Sequence, residues 1–284
     1  MNLDPSVSLD PEVQSSRSTA ALIDAHCHLD DARFADDFDA MVARAHAGGV
    51  EGFVLAGVGP AGWAAQEQLA YRLPHTWFTV GVHPQVAAPS TDEGLEAMLT
   101  ALRLRLERLD GRRAVAIGET GLDRLPIHGP ETYARQEHAF RVQLRLARKH
   151  ALPVVLHVLH AHERALEILR EEGLSDEAGM LHSYSGSAEL VPAYAELGLS
   201  FSIAGPITYP NARKPVLAAR AIPRERLLIE TDAPDQTPTP HRPGRNEPAF
   251  LVAIAHAVAS ARGVTFGEVA ATTRENTRRL FKLA

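Results

Sequence analysis

Eight short apolar runs recur along the chain, at residues 21–25, 50–56, 76–80, 113–117, 153–156, 179–181, 199–203 and 227–229, with longer segments of mixed character between them. The runs are too short for helices and lack polar alternation, as expected of strands buried on both faces of a parallel sheet. The intervening segments have helical spacing. In residues 131–150, Phe140, Leu144 and Ala147 fall on one side, while Arg141, Arg145 and Arg148 spread over the rest. Eight strand–helix alternations predict an α/β fold, a (β/α)8 barrel of the TIM type. Gly and Pro clusters at 57–60, 129–130 and 234–248 read as loops. The longest irregular stretch, residues 233–248, follows the last strand, and its prolines predict a semi-rigid wall beside the site.

The length of 284 residues suits one such barrel, whose usual size is roughly 250 residues. The barrel is expected over residues 20–284. Residues 1–19, rich in Ser, Asp and Pro, are expected to form a disordered tail and do not have the pattern of a signal peptide. A formal net charge of −6 excludes the broad basic surface that holds long duplex DNA, so a nucleic-acid substrate would have to be gripped locally, at an end. Cys27 is the only cysteine, which excludes an intrachain disulfide and fits a reducing compartment. No apolar run approaches the ~20 residues of a membrane span. These features predict a cytoplasmic enzyme with no membrane association and no obligate protein partner evident.

Six residues able to ligate a metal stand where apolar runs end: His26 and His28, Glu119, His157, His182 and Asp232. In a barrel of parallel strands the C-terminal strand ends converge on one rim, so these six can meet. His26 and His28 are two apart, which in a strand puts both imidazoles on one face. With fourteen histidines in the chain, the pair alone is also open to chance. Glu119 has two carboxylate oxygens and can bridge two cations. His157 and His182 would complete a second position. Asp232 could coordinate the first ion and, as a catalytic group with Glu119, accept a proton from the attacking water. Imidazole and carboxylate without thiolate suit two divalent cations, with zinc, manganese, magnesium or iron all open. Strand alternation turns Cys27 away from its neighbours, as a packing residue.

The ordered motifs resemble the TatD family of metal-dependent hydrolases, the TatD-like deoxyribonucleases. They are Asp-Ala-His-Cys-His-Leu-Asp from Asp24, Gly-Val-His-Pro from Gly81, Ile-Gly-Glu-Thr-Gly-Leu-Asp from Ile117, Leu-Pro-Val-Val-Leu-His from Leu152, His-Ser-Tyr-Ser-Gly from His182 and Glu-Thr-Asp-Ala-Pro from Glu230. Arg-Asn-Glu-Pro from Arg245 and Glu-Asn-Thr-Arg-Arg-Leu-Phe from Glu275 follow. The likeness covers nearly everything after residue 20. It implies a barrel of the metallo-dependent hydrolase type with two divalent cations, one on His26, His28, Glu119 and Asp232 and the other on Glu119, His157 and His182. It also implies removal of nucleotides from DNA 3′ ends by hydrolysis of phosphodiester bonds, with water activated at the two metals. The alternative is hydrolysis of another ester or amide, such as a D-aminoacyl-tRNA ester, at the same site.

Two departures from the family pattern bear on the substrate. Where many members have His-x-Arg-Asp, this chain has His157-Val158-Leu159-His160, so a positive charge expected near the substrate phosphate is missing. The usual Cys-Phe or Gly-Phe before Ser-Gly is Ser-Tyr here, which keeps Ser185-Gly186 and adds the hydroxyl of Tyr184. Tyr184 and Ser185 are therefore candidate substrate contacts. His83 could meet a phosphate or leaving group, or be a surface histidine. Arg245 and Asn246 could hold a phosphate or terminal sugar; otherwise Asn246 braces its loop and Arg245 is a solvated surface charge. Asp123 could orient a ligand histidine or serve a turn. Asn276 and Thr277 read as local structure near a C-terminal helix whose Leu280 and Phe281 dock into the core.

Overall fold

The computed structural model describes residues 20–109 and 113–283; the tail expected over residues 1–19 lies outside them. Eight strands form one parallel sheet in sequential order: β1 (Leu22–Cys27), β2 (Val50–Leu55), β3 (Thr76–Val80), β4 (Ala114–Asp123), β5 (Val154–Leu159), β6 (Gly179–Leu181), β7 (Ser200–Ile203) and β8 (Leu227–Ile229). Around them lie α1 (Phe38–Ala47), α2 (Pro60–Arg72), α3 (Pro84–Ala87), α4 (Asp92–Leu106), α5 (Tyr133–His150), α6 (His162–Glu172), α7 (Val191–Glu196), α8 (Arg213–Ala221), α9 (Leu251–Arg262) and α10 (Phe266–Phe281). This is the (β/α)8 barrel that the periodicity predicts. Among the described residues no single helix is long and apolar enough to cross a membrane.

The strands are almost wholly buried, and the alternation of their side chains divides the apolar interior in two. Ile23, Val54, Trp77, Val115, Val155, Met180 and Leu228 form one cluster, closed by Phe281 and Leu283 from the end of the chain. The larger cluster lies between sheet and helices and includes Cys27, Phe78, Phe140 and Phe201. On α5, Phe140, Leu144 and Ala147 are buried as their spacing predicts, while Arg141 and Arg145 both pair with Glu172 on α6. Asn276 on α10 donates to the carbonyls of Arg224 and Leu227, in keeping with its structural reading.

No ladder joins β8 to β1; the segment after β8 closes the barrel instead. Asp232 N–H donates to the His26 carbonyl at 3.0 Å, and His28 N–H to that of Ala233 at 2.8 Å. Thr231 reinforces this seam, its backbone N–H donating to Asp24 Oδ1 at 2.9 Å and its hydroxyl to Oδ2 at 2.5 Å. Burial raises the Asp24 carboxyl to about 7 despite these bonds. The seam thereby sets Asp232 directly beside His26 and His28.

One strand runs longer than its apolar run. The sequence places Glu119 at the end of strand four, yet β4 continues to Asp123, with Gly121 opposite His157 and Asp123 opposite Leu159. The glycine after Thr120 permits a close approach of the two strands. At Gly121 (φ +137°) a Cβ would lie 2.1 Å from the His157 carbonyl oxygen, so a side chain would push β5 away. His157 likewise lies within β5, two residues before its end.

Candidate metal centre

All six predicted ligands face one pocket at the C-terminal rim, and Glu119 is its hub. Glu119 is buried within β4, and its two oxygens serve different neighbours. Oε1 lies 3.6 Å from His28 Nε2. Oε2 lies 3.5 Å from His26 Nε2, 3.0 Å from His182 Nε2 and 3.8 Å from His157 Nδ1. Asp232 Oδ1 completes the first group, 3.3 Å from His28 Nε2 and 3.7 Å from His26 Nε2. Its other oxygen accepts from the Gln236 amide at 2.5 Å. His157 Nδ1 and His182 Nε2 are 2.9 Å apart.

The outward ring nitrogens show which atoms point inward as lone pairs. His157 Nε2 faces Asp123 Oδ2 at 3.3 Å, and His182 Nδ1 faces Glu230 Oε1 at 3.4 Å. A proton on each outward nitrogen leaves His157 Nδ1 and His182 Nε2 free to bind a cation, the usual arrangement of a ligating histidine backed by a carboxylate. Asp123 is itself fixed by the Gln85 amide (2.8 Å) and the Leu125 N–H (2.9 Å). Asp123 thus touches a candidate ligand histidine, the first of its two sequence readings.

His83 has the opposite polarity. Its Nδ1 accepts the Gln85 N–H at 3.0 Å, and burial pushes its pKa down to about 4. The neutral ring therefore carries its proton on Nε2, 3.5 Å from Glu119 Oε2, and presents a donor to the pocket.

The donor set fits a divalent cation. Both ring nitrogens of His26 are buried without a hydrogen-bond partner among the described residues, and such orphans in a native interior call for an unplaced partner. Three groups of ligand atoms converge: His26, His28 and Asp232; His83, Glu119 and His157; and His26, His182 and Glu230. Burial favours protonation of Glu119, but the facing imidazoles, His26 first, outweigh it and hold this carboxyl well below its usual range. Asp232 is held at about 2 against burial, by His28 and its neighbours. His28 is raised to about 9, the Asp232 contact overcoming burial. Two ionised carboxylates amid imidazoles form a donor set of the kind that holds a divalent cation.

The predicted substrate contacts divide. His83 lies in the metal pocket, whereas Tyr184 and Ser185 line an adjoining cavity. The Tyr184 hydroxyl donates to the Ser187 carbonyl at 2.8 Å, and its ring lies so close over Gly186 that a Cβ there would meet Oη at 2.3 Å. The motif's glycine makes room for the tyrosine. Asn246 corrects its expectation of a substrate contact: it is fully buried, and its amide donates to the carbonyls of Thr231 and Asp235 at 2.8 and 2.6 Å. Arg245 also departs from expectation, because its guanidinium grips Asp37 at 2.8 and 3.0 Å and lies over the Phe34 ring. Both residues brace the loop over 233–248, which is the alternative reading of Asn246, whereas Arg245 is held by Asp37 and Phe34 rather than left as a solvated charge. Sequence reasoning missed Glu230 and Gln236. A charged residue directly after the apolar run 227–229 is the one signal that could have marked Glu230.

Comparison with known proteins agrees with this geometry. The family described as TatD related DNase matches residues 23–282. The metal-dependent hydrolase YabD of Bacillus subtilis is 35% identical over 262 residues, covering 92% of this chain and 99% of that protein. The 3′-5′ ssDNA/RNA exonuclease TatD of Erwinia tasmaniensis is 38% identical over 270 residues, covering 92% of this chain and 100% of its own. The crystal structure of YJJV, a TatD homologue from Escherichia coli, superposes with a TM-score of 0.84 at 30% identity, over 94% of this chain and 100% of that one. Metal-dependent relatives together with the clustered His, Glu and Asp side chains support divalent metal binding. A barrel with this rim, and relatives matched over nearly their whole length, make the chain a hydrolase that belongs to the TatD family.

Proposed function

We propose that the protein is a 3′-5′ exonuclease that hydrolyses the terminal phosphodiester of single-stranded DNA with two divalent cations. The observation that carries this reading is the convergence of four imidazoles and two carboxylates on one pocket, with Glu119 offering one oxygen to His28's side and the other to His157 and His182. His26, His28, Glu119 and Asp232 would hold one cation, and Glu119, His157 and His182 the other. When bound, the cations supply Lewis acidity and lower the pKa of the attacking water.

Asp232 takes the proton from that water. Its ionised carboxylate is fixed by Gln236 on one oxygen and leaves the other facing the pocket. His83 donates its Nε2 proton in a hydrogen bond to a phosphate oxygen or the leaving oxygen, a role for which its neutral tautomer suits it. Asp123 and Glu230 act through His157 and His182 as positioning residues. Relatives named as exonucleases acting on 3′ ends support the substrate assignment.

Hydrolysis of a neutral ester at the same centre is the second reading, favoured by Leu159, which stands in a cavity wall containing no Lys or Arg. The deciding experiment incubates protein loaded with Mn²⁺ or Zn²⁺ with a 5′-labelled oligonucleotide. A ladder shortening from the 3′ end is expected. Turnover of a neutral carboxylic ester without any ladder would replace the first reading by the second.

A further inference from the structure

A cavity of about 370 Å³ opens beside the metal pocket and shares His157, His182 and Asp232 with it. Its remaining walls include Val158, Leu159, Ile203, Ala204, Ile207 and Pro215, and away from the shared histidines no Lys or Arg lines it. A phosphate placed there would lose its hydration with nothing to neutralise it. An uncharged group with apolar faces would lose little and gain contact area.

The polar atoms of the cavity are largely satisfied by the protein. The Ser183 hydroxyl donates to Gln236 Oε1 at 2.8 Å, and the Gln236 amide donates to Asp232. Ser185 is the exception, and its state follows from a short proton count. The Tyr194 hydroxyl donates its one proton to the His162 carbonyl at 3.1 Å. With that proton directed at the carbonyl, His162 Nδ1, 3.1 Å from the same hydroxyl oxygen, is the donor to it. Burial pushes the His162 pKa down to about 4, so the ring is neutral and its Nε2 bare. The Ser185 hydroxyl then has two acceptors for its single proton, the Val158 carbonyl at 3.1 Å and His162 Nε2 at 3.3 Å. The protein keeps that proton, and Ser185 Oγ offers the cavity a lone pair.

Resting on the nuclease reading above, we propose that this cavity is the subsite for the nucleobase beside the scissile phosphodiester, held by apolar contact and oriented by an N–H of the base donating to Ser185 Oγ. With a single directional group, the subsite senses that a base is present more than which base it is. Leu159 belongs to it, as part of an apolar wall rather than a phosphate contact.

The test compares two single-stranded oligonucleotides of equal length with the Mn²⁺-loaded enzyme, one ending in an ordinary 3′ nucleotide and the other in a stable abasic residue. Wild type should favour the base-bearing end by roughly tenfold in kcat/KM, the scale of discrimination an apolar pocket gives. Ala204→Trp, which fills the cavity, should bring that ratio close to one. Because a buried tryptophan can disturb folding, Leu159→Arg at the half-buried edge serves as a second variant. It should raise KM for the base-bearing end and shrink the ratio, with folding checked by thermal denaturation. Equal cleavage of both ends by wild type, or an unchanged ratio in folded Leu159→Arg, overturns the subsite while leaving the nuclease reading intact. Cleavage of neither end by a protein that still hydrolyses a neutral ester overturns the nuclease reading, and the base assignment falls with it.

Discussion

The metal pocket and the cavity beside it share a wall and differ in almost every other respect. In the pocket, Glu119 and Asp232 are ionised, and His26 has both ring nitrogens without a hydrogen-bond partner among the described residues. In the cavity there is no charge beyond the shared wall, and the hydroxyls of Ser183, Tyr184 and Ser185 are spent on protein acceptors. An under-satisfied polar pocket is complete only with a cation, and a satisfied apolar cavity gains by covering an uncharged surface. On the proposed roles, reaction type and substrate choice lie in adjoining volumes that share only His157, His182 and Asp232, and substitutions elsewhere on either side should have separable effects.

The largest effect is expected at the hub of the pocket. Glu119→Ala leaves His26, His28, His157 and His182 facing one another around the missing carboxylate. Both metal positions lose a ligand, so metal content and turnover should fall together, turnover by about 10³-fold or more. Elemental analysis of the dialysed variant checks this; retention of two cations would remove Glu119 from its bridging place. Asp232→Asn should separate the two functions, because the amide still has an oxygen for a cation but cannot take up a proton. The expected loss is about 10²–10⁴-fold in kcat at saturating metal. Near wild-type kcat would end the assignment of Asp232 as base.

A smaller effect should come from behind the pocket. Among the candidate ligands Asp123 touches only His157, so Asp123→Ala should weaken metal at the proposed His157–His182 position by about 10–100-fold. Chelator competition reads this directly, and Asp123→Glu should restore part of it. Unchanged affinity would return Asp123 to the role of a turn residue.

The contrast between pocket and cavity also explains what could be read in the chain. The six candidate ligands were visible because each accompanies a strand end or near-end, and parallel topology alone carries such residues to one rim. Their supports were not visible, since these depend on which segments touch. Glu230 acquires meaning only because His182 lies beside it, and Gln236 only because its loop folds back onto Asp232. Arg245 and Asn246 stand in a motif that invites a substrate role, yet burial of the Asn246 amide and the pairing of Arg245 with Asp37 turn both to bracing. The cavity was invisible for a further reason: its walls come from β5, β7 and the segments after β6, β7 and β8, and no spacing in sequence encodes a void.

Arg245 tests that division at modest amplitude. Arg245→Ala removes the contacts to Asp37 and the packing over Phe34, all at a half-exposed position, so a stability loss of about 1 kcal/mol is expected with little change in KM. Chemical denaturation and oligonucleotide kinetics on the same sample decide between bracing and binding. A tenfold rise in KM at unchanged stability would place Arg245 on the substrate after all.

The last effect, confined to acid, concerns His162, which adjoins the cavity through Ser185 and does not line the metal pocket. Its pKa is pushed down from 6.5 to about 4, with burial as the first cause. Between these values the unfolded chain binds a proton that the folded ring refuses. Stability from this residue is therefore fully present above about pH 6.5 and is lost as pH falls toward 4. His162→Gln has no such proton to refuse, so its unfolding free energy should fall less steeply between pH 6.5 and pH 4, by about 1 kcal/mol per pH unit at most. His83, also depressed by burial, remains in the variant and retains its own share of the slope. Urea midpoints at intervals across the window measure the difference. Identical slopes in the two proteins would mean that His162 takes up its proton in the fold as readily as in the unfolded chain, so that below about pH 6.5 its Nε2 would no longer be bare and the proton count around Ser185 would hold only above that pH.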